Sequence, residues 1–261
     1  MKRAVILLTG LVLAAAPLQA GDDVSDFQGR LEIGVEKKII KGLTVSLEEQ
    51  LRMSNSFTTF DRLHTTLGIE YKVNPYFRVG GGVIMINNYK PTSKKWVHKE
   101  RFYVDLTGRY KTGIVILSLK ERLQLTHRNG SFNTAETTPN LLALKSRAKI
   151  TLDFGQWEPY GFFEMRNVFN APNGTVGDYD DDEGAYAYVH TGYNDMYINR
   201  FRGSLGVEWK INKHNSLDLY FLGDYVQDVN IDTDKTQQWL KSRLIDKGFI
   251  STIGLGYKFK F

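Results

Sequence analysis

The sequence predicts an all-β fold, an antiparallel transmembrane up-and-down β-barrel of about twelve strands, with ten as the smaller alternative. Three observations carry this prediction. Apolar and polar residues alternate with period two over segments of roughly ten to fourteen residues, against about five or six for an average globular strand. The links between segments alternate between tight turns and long polar excursions. Composition favours strands, since 13% of the 261 residues are aromatic, 24 are glycine and only 6 are proline.

The elements follow in chain order. Residues 1–20, "MKRAVILLTGLVLAAAPLQA", have a basic start in Lys2 and Arg3, an apolar middle and small residues before Ala20. They read as a secretory signal peptide cut after Ala20, leaving 21–261 as the barrel. "RLEIGVEKKI" is the first alternating segment. "GLTVSLEEQLRM" sets Leu43, Val45, Leu47, Leu51 and Met53 against Thr44, Ser46, Glu48, Gln50 and Arg52. "FDRLHTTLGIEYKV" sets Leu63, Leu67, Ile69 and Tyr71 against Arg62, His64, Thr66 and Glu70. "RFYVDLTGRYK" sets Phe102, Val104, Leu106 and Tyr110 against Arg101, Tyr103, Asp105 and Arg109. In "LLALKSRAKITLDF", Leu142, Leu144, Ala148 and Ile150 oppose Lys145, Arg147, Lys149 and Thr151. In "NRFRGSLGVEWKI", Phe201, Leu205, Val207 and Trp209 oppose Arg200, Arg202, Ser204 and Glu208. Glu49 and Glu121 fall on the apolar sides of their segments, which places them near an interface or calls for a phase-reversing bulge.

Short turns are expected at "KKIIKG", "VNPY", "YKTG", "GQWEP" and "INKHN", and longer polar links near "MSNSFTT", "NNYKPTSKKWVHK", "HRNGSFNTAETTPN", "NAPNGTVGDYDDDEGAYAYVHTGYN" and "VNIDTDKTQQWLKSRLIDK". In an outer-membrane barrel these are periplasmic turns and extracellular loops. One short loop helix is expected in "TDKTQQWLKSRLI". The segments number about eleven. Antiparallel closure needs an even count, so ten or twelve strands are expected.

If the apolar faces meet lipid, the polar faces line the lumen. Arg62, Arg101, Arg109, Arg147, Arg200 and Arg202 then point inward with Glu48, Glu70, Asp105 and Glu208, and opposite charges should pair across strands. A barrel this small is normally filled by its side chains. Net charge falls from +5 to about +3 once Lys2 and Arg3 leave, too mild an excess to argue for nucleic acid. Cysteine is absent, which excludes disulfides, thiolate metal sites and a cysteine nucleophile.

The chain ends "GLGYKFKF", with Tyr257, Phe259 and Phe261 on one face. This resembles the terminal strand by which the barrel assembly machinery recognises outer-membrane proteins, in Gly256, Phe259 and Phe261; Gly254 stands where a polar residue is usual. "FDRLHTTLGIEYKVNPYFRVGGGV", "ERFYVDLTGRYK", "INKHNSLDLYFLGDY" and "GLGYKFKF" together resemble a family of Gram-negative outer-membrane proteins named only as a domain of unknown function (family 2490). The resemblance implies the fold and the outer membrane of a Gram-negative bacterium as location. It brings no activity and no catalytic residue.

Candidate chemistry is sparse. His127 on an apolar face, with Ser131 nearby, has the placement of an outer-leaflet lipid hydrolase. His64 faces inward beside Arg62 and Thr66; His98, His190 and His214 fall in loops or turns. "DYDDDE" (Asp178 to Glu183) offers oxygen ligands without the spacing of a calcium loop. Tyr179, Tyr186, Tyr188 and Tyr193 are loop aromatics suited to a sugar, a peptide or the membrane interface. Gly80 to Gly82 form no phosphate loop; they make room for a large neighbour or relieve curvature. No catalytic, cofactor or metal residue is assigned. The expected protein is an envelope barrel with a charged, largely filled lumen, a narrow channel or loop-presenting binder in contact with outer-membrane lipid. The alternatives are an outer-leaflet lipid-modifying enzyme and a soluble exported β-protein.

Overall fold

The computed structural model describes residues 24–90, 94–130, 132–234, 236 and 238–261. The signal segment expected at 1–20 lies outside them. The described residues form eleven strands: β1 (Val24–Ile40), β2 (Leu43–Ser54), β3 (Thr59–Lys72), β4 (Phe77–Lys90), β5 (Lys95–Thr112), β6 (Val115–Arg128), β7 (Asn140–Leu152), β8 (Trp157–Asp180), β9 (Ala185–Lys210), β10 (Asn215–Thr233) and β11 (Trp239–Lys260). Consecutive strands pair antiparallel, and the sheet closes into a barrel where β1 meets β11.

That seam explains the strand count. β1 and β11 run parallel in continuous register from Val24↔Gly248 to Glu36↔Lys260. An up-and-down wall with an odd number of strands must close this way, because its first and last strands point in the same direction. The even-count expectation assumed antiparallel closure. A parallel ladder is only slightly less stable per residue and still removes both edges.

Tight turns crowd one rim. Lys41-Gly42 and Gly113-Ile114 link their strands in two residues, and Gly42 and Gly113 supply the positive φ (90° and 55°) such turns need. The other rim carries the long excursions, but much of their length is strand. β8 and β9 continue for 24 and 26 residues and turn only at 181–184. The segment expected as a 25-residue-scale loop is therefore a tall bulged hairpin. Its polar composition reads as loop because a strand beyond an apolar belt need bury neither face. The helix expected in "TDKTQQWLKSRLI" is absent among the described residues. Trp239 begins β11, whose pairing with β10 (Ile231↔Arg243, Val229↔Ile245) overrides weak local helical spacing. Asp234 holds the turn by accepting from the backbone N–H groups of Thr236, Gln238 and Trp239. The Thr236 hydroxyl and these amides keep its carboxyl well below the usual range.

The two faces of the wall differ sharply. Leu67 and Val104 are 54% and 59% exposed on the outside, with Leu47, Leu119, Ile150, Phe163, Leu205 and Leu255 around the same belt. Aromatic residues rim the belt. Tyr71, Tyr110, Tyr257 and the stacked pair Trp157–Trp209 lie toward the short turns. Phe60, Tyr89 and Trp96 form an edge-to-face cluster toward the long hairpins. From Phe60 to Tyr71 on β3 and from Trp96 to Tyr110 on β5, rises of ~3.3 Å along strands tilted ~40° separate the two rims by roughly 28–35 Å. Glu49 and Glu121 do face outward, at mid-strand and without a bulge beside them. Each instead accepts a hydroxyl from the neighbouring strand: Thr65 to Glu49 at 3.0 Å and Ser146 to Glu121 at 2.6 Å.

Inside, tyrosines lie across glycines of neighbouring strands. A Cβ on Gly82 or Gly68 would stand 2.7 or 2.9 Å from the Tyr103 hydroxyl oxygen, and one on Gly206 2.6 Å from Tyr160. Gly254 lies directly beneath the Tyr220 ring. This accounts for Gly82 in "GGGV" and for glycine rather than a polar residue at 254. Substituting Gly254→Val should overpack this seat and destabilise the barrel by about 1–3 kcal/mol. Gly108→Ala should be tolerated, since its Cβ would meet only a carbonyl 3.9 Å away. Urea unfolding of the detergent-folded protein distinguishes the two; equal losses would remove the seating role.

Candidate functional site: a charged lumen

Period two sends one side chain in each pair into the barrel, so eleven strands deliver a dense set of charges to a narrow axis. Three adjoining cavities run along it. A cavity of about 300 Å³ lies at the short-turn end, one of about 440 Å³ at mid-height and one of about 360 Å³ under the long hairpins. The ten charges read from the sequence all line them. Arg109 and Glu208 border the first, Glu48 and Asp105 the second, and Arg62 and Arg200 the third. Glu70 and Arg147 border the first two, and Arg101 and Arg202 the last two.

Their partners are largely other residues. Glu164 and Asp224, each 2% exposed, are the acidic hubs. Arg202 donates through Nε and Nη2 to the two carboxylate oxygens of Asp224 at 2.6 and 2.9 Å, with Arg30 and Arg200 at 3.8 and 3.9 Å. Arg147 donates to Glu164 at 2.5 Å, with Arg202 at 3.5 Å and Lys145 at 3.9 Å. One step round the wall, Arg122 forks onto Asp105 at 2.6 and 2.7 Å, and Lys120 joins at 2.9 Å. The Arg122 guanidinium also stacks 3.9 Å from the Tyr103 ring centroid. Near the short turns Arg78 meets Glu70 at 2.9 Å and Lys210 meets Glu158 at 2.5 Å.

The expected cross-strand pairing within the ten residues does not occur. Arg62 pairs with its own neighbour Asp61, and Glu208 with Lys260 at 3.8 Å. Glu48, Arg101 and Arg109 make no ion pair with a described residue; the Arg101 Nε donates to the Thr126 hydroxyl at 2.9 Å. Which inward charges meet depends on register and stagger between strands, which periodicity alone does not supply. Glu164, Asp224 and Arg122 were findable by the same phase rule: Glu164 sits between outward Phe163 and Met165, and Asp224 beside outward Tyr225.

The candidate chemical groups are dispersed. His127 hydrogen-bonds the Asn140 side chain at 2.7 Å, and Ser131 lies outside the described residues. His98 contacts Asn87 at 2.5 Å, and the His214 ring donates to the Lys260 carbonyl at 2.7 Å. His64 is buried among inward cations. In the acidic turn, Asp180 accepts the Asp182 and Glu183 N–H groups, and no cluster suited to a metal occurs among the described residues. Tyr188 is buried against Ala135, Ile231 and Leu240 and offers no ring to a ligand. Tyr179 and Tyr186 pack on each other at 5.0 Å, and Tyr193 donates to the Thr134 carbonyl. At the chain end Gly256 pairs with Glu32 and Asp218, and Phe261 packs edge-on against Phe259 at 4.7 Å.

Removing one member of a buried charge network strands the others, at about 3–5 kcal/mol. Glu164→Gln should therefore lower stability by about that amount, while Arg109→Gln should change it by less than about 0.5 kcal/mol. Chemical unfolding in detergent checks this, and a neutral Glu164→Gln would show that the hub is not holding its cations.

No curated protein matches the chain. The family described as "Protein of unknown function (DUF2490)" matches residues 27–181. That span runs from within β1 to the end of β8, so the resembling stretches "INKHNSLDLYFLGDY" and "GLGYKFKF" lie beyond it. With more than half of its length matched, this closed eleven-stranded β-barrel belongs to the DUF2490 family of proteins of unknown function.

Proposed function

We propose that the protein is an outer-membrane β-barrel of a Gram-negative envelope, non-enzymatic, with a lumen too crowded for a wide pore. One observation carries this reading: an exposed apolar belt, rimmed by aromatics on both sides, surrounds an interior of charged side chains. In water such an outer face would be an aggregation surface. In a bilayer it is the expected face of a barrel wall, and a rim-to-rim height of roughly 30 Å suits the hydrocarbon. The Arg147–Glu164–Arg202–Asp224 chain runs along the inner wall over the directly opposed positions of β7 to β10, and this side-chain bulk favours narrow conduction or none. Bilayer lipid is then the principal surface partner, and residues 1–20 the export signal. The barrel assembly machinery acts on the last strand, through Gly256, Phe259 and Phe261.

The protein should fractionate with outer membranes and require detergent for release. A cysteine introduced at Leu67 or Val104 should react with a lipid-soluble probe, and one at Asp105 should not. In planar bilayers the conductance should be low. Recovery from the soluble periplasm, reversed labelling or a large stable conductance would each overturn the reading. Deleting Phe261 should reduce folded, heat-modifiable protein several-fold; unchanged levels would remove the role given to the terminal strand.

A further inference from the structure

The long-hairpin end of the lumen holds more positive charge than its own fold uses. Nine Lys and Arg side chains border that cavity against two acids, Glu136 and Asp228. Five of the cations, Arg52, Lys99, Arg101, Arg128 and Arg166, make no ion pair with a described residue. Their hydrogen bonds go to neutral groups: Arg52 to Gln50 at 2.5 Å, Arg101 to Thr126 at 2.9 Å, Arg166 to Asn199 at 2.8 Å. Both acids are occupied by neutral donors, Glu136 by Asn133 and Asp228 by Asn199. The short-turn cavity differs: there Glu70 and Glu158 each hold a cation.

Orphaned polar atoms at the same place form a second observation. Gln124 is 1% exposed with neither amide atom satisfied, and the His64 Nε2 and the Nε of Arg128 and Arg166 are likewise buried without partners. Buried donors without acceptors are uncommon in native proteins. The guanidinium groups present the forked donors that match phosphate and carboxylate oxygens. One wall is apolar, where Val168 and Ala171 pack with Leu141, leaving a surface for carbon. Glu136 to Thr138, from the segment joining β6 and β7, form part of the enclosing wall.

We propose that this cavity binds a small multivalent oxyanion, a phosphoryl or polycarboxylate group on a compact organic body. The bound anion would offset part of the charge of the five unpaired cations and accept from the orphaned donors. The site needs only the closed barrel, so a finding against the outer membrane would leave it standing, and its failure would leave the envelope reading intact.

The test is calorimetric titration of the full-length folded protein in detergent with citrate and with glucose 6-phosphate, glucose serving as the neutral reference. Saturable one-site binding of at least one anion is expected, with none for glucose. The affinity should fall at least tenfold as salt rises from about 0.05 to 0.5 M. The tighter of the two anions identifies the group. The double substitution Arg101→Gln with Arg128→Gln should weaken binding at least tenfold, and Lys149→Gln, outside this cavity, less than about threefold. Because the removed cations lack ion-pair partners, the double variant should keep or raise the wild-type melting temperature; Lys99→Gln provides a second, milder comparison. Absence of saturable binding by folded wild type would overturn the proposal. So would unchanged affinity in the double variant, equal loss in Lys149→Gln, or failure of both cavity variants to fold.

Discussion

Everything in this molecule depends on the parallel seam between β1 and β11. The wall is one continuous antiparallel meander until that point, and without the seam it would be a curled sheet with two long open edges. Closure fixes the axis into which the inward residues project, and so brings together groups distant in sequence. Tyr220 of β10 reaches Glu32 of β1 at 2.5 Å across the seam, and Arg30 of β1 reaches Asp224 of β10 at 3.8 Å. These contacts exist only if the register from Val24↔Gly248 to Glu36↔Lys260 is kept. The glycine beneath Tyr220 belongs to the same device, since Gly254 faces Arg30 in the seam register.

Inside the closed wall, charge is unevenly balanced. Each acid toward the short turns holds a cation, charges gather around Asp105, Glu164 and Asp224 at mid-height, and cations stand unmatched under the long hairpins. The mid-height belt is a structural core in electrostatic form, standing where apolar packing usually fills a protein interior. The buried apolar clusters are small by comparison: Ile84, Ile86 and Tyr103 in one, Ala143, Val168 and Ala171 in another.

Much of the wall was legible from period two alone. The alternation that puts Leu67 and Val104 outside and Arg62 and Asp105 inside is a local property, and a phase error would put several charges on the apolar belt. Two features were not legible. Pairing partners such as Glu164 for Arg147 depend on register between strands, which no single segment encodes. The tall β8–β9 hairpin reads as loop because its polar residues follow no apolar stripe. The odd strand count was visible, but the assumption of antiparallel closure turned it toward ten or twelve. The family resemblance was sound for β1 to β8 and supplied no role for any lumen residue.

The odd meander also gives the chain a net direction. In an even-stranded wall the first and last strands leave on the same rim. Here Val24 and Lys260 leave on opposite rims, because β1 begins beside Gly248 toward the long hairpins and β11 finishes among the short turns. A short covalent bridge between the two ends is therefore impossible on either rim, and circular permutation would need a linker spanning the height of the wall. In the bilayer placement proposed above, segments appended at the two ends would face different compartments. The barrel is thus vectorial in a way that its even-stranded counterparts are not.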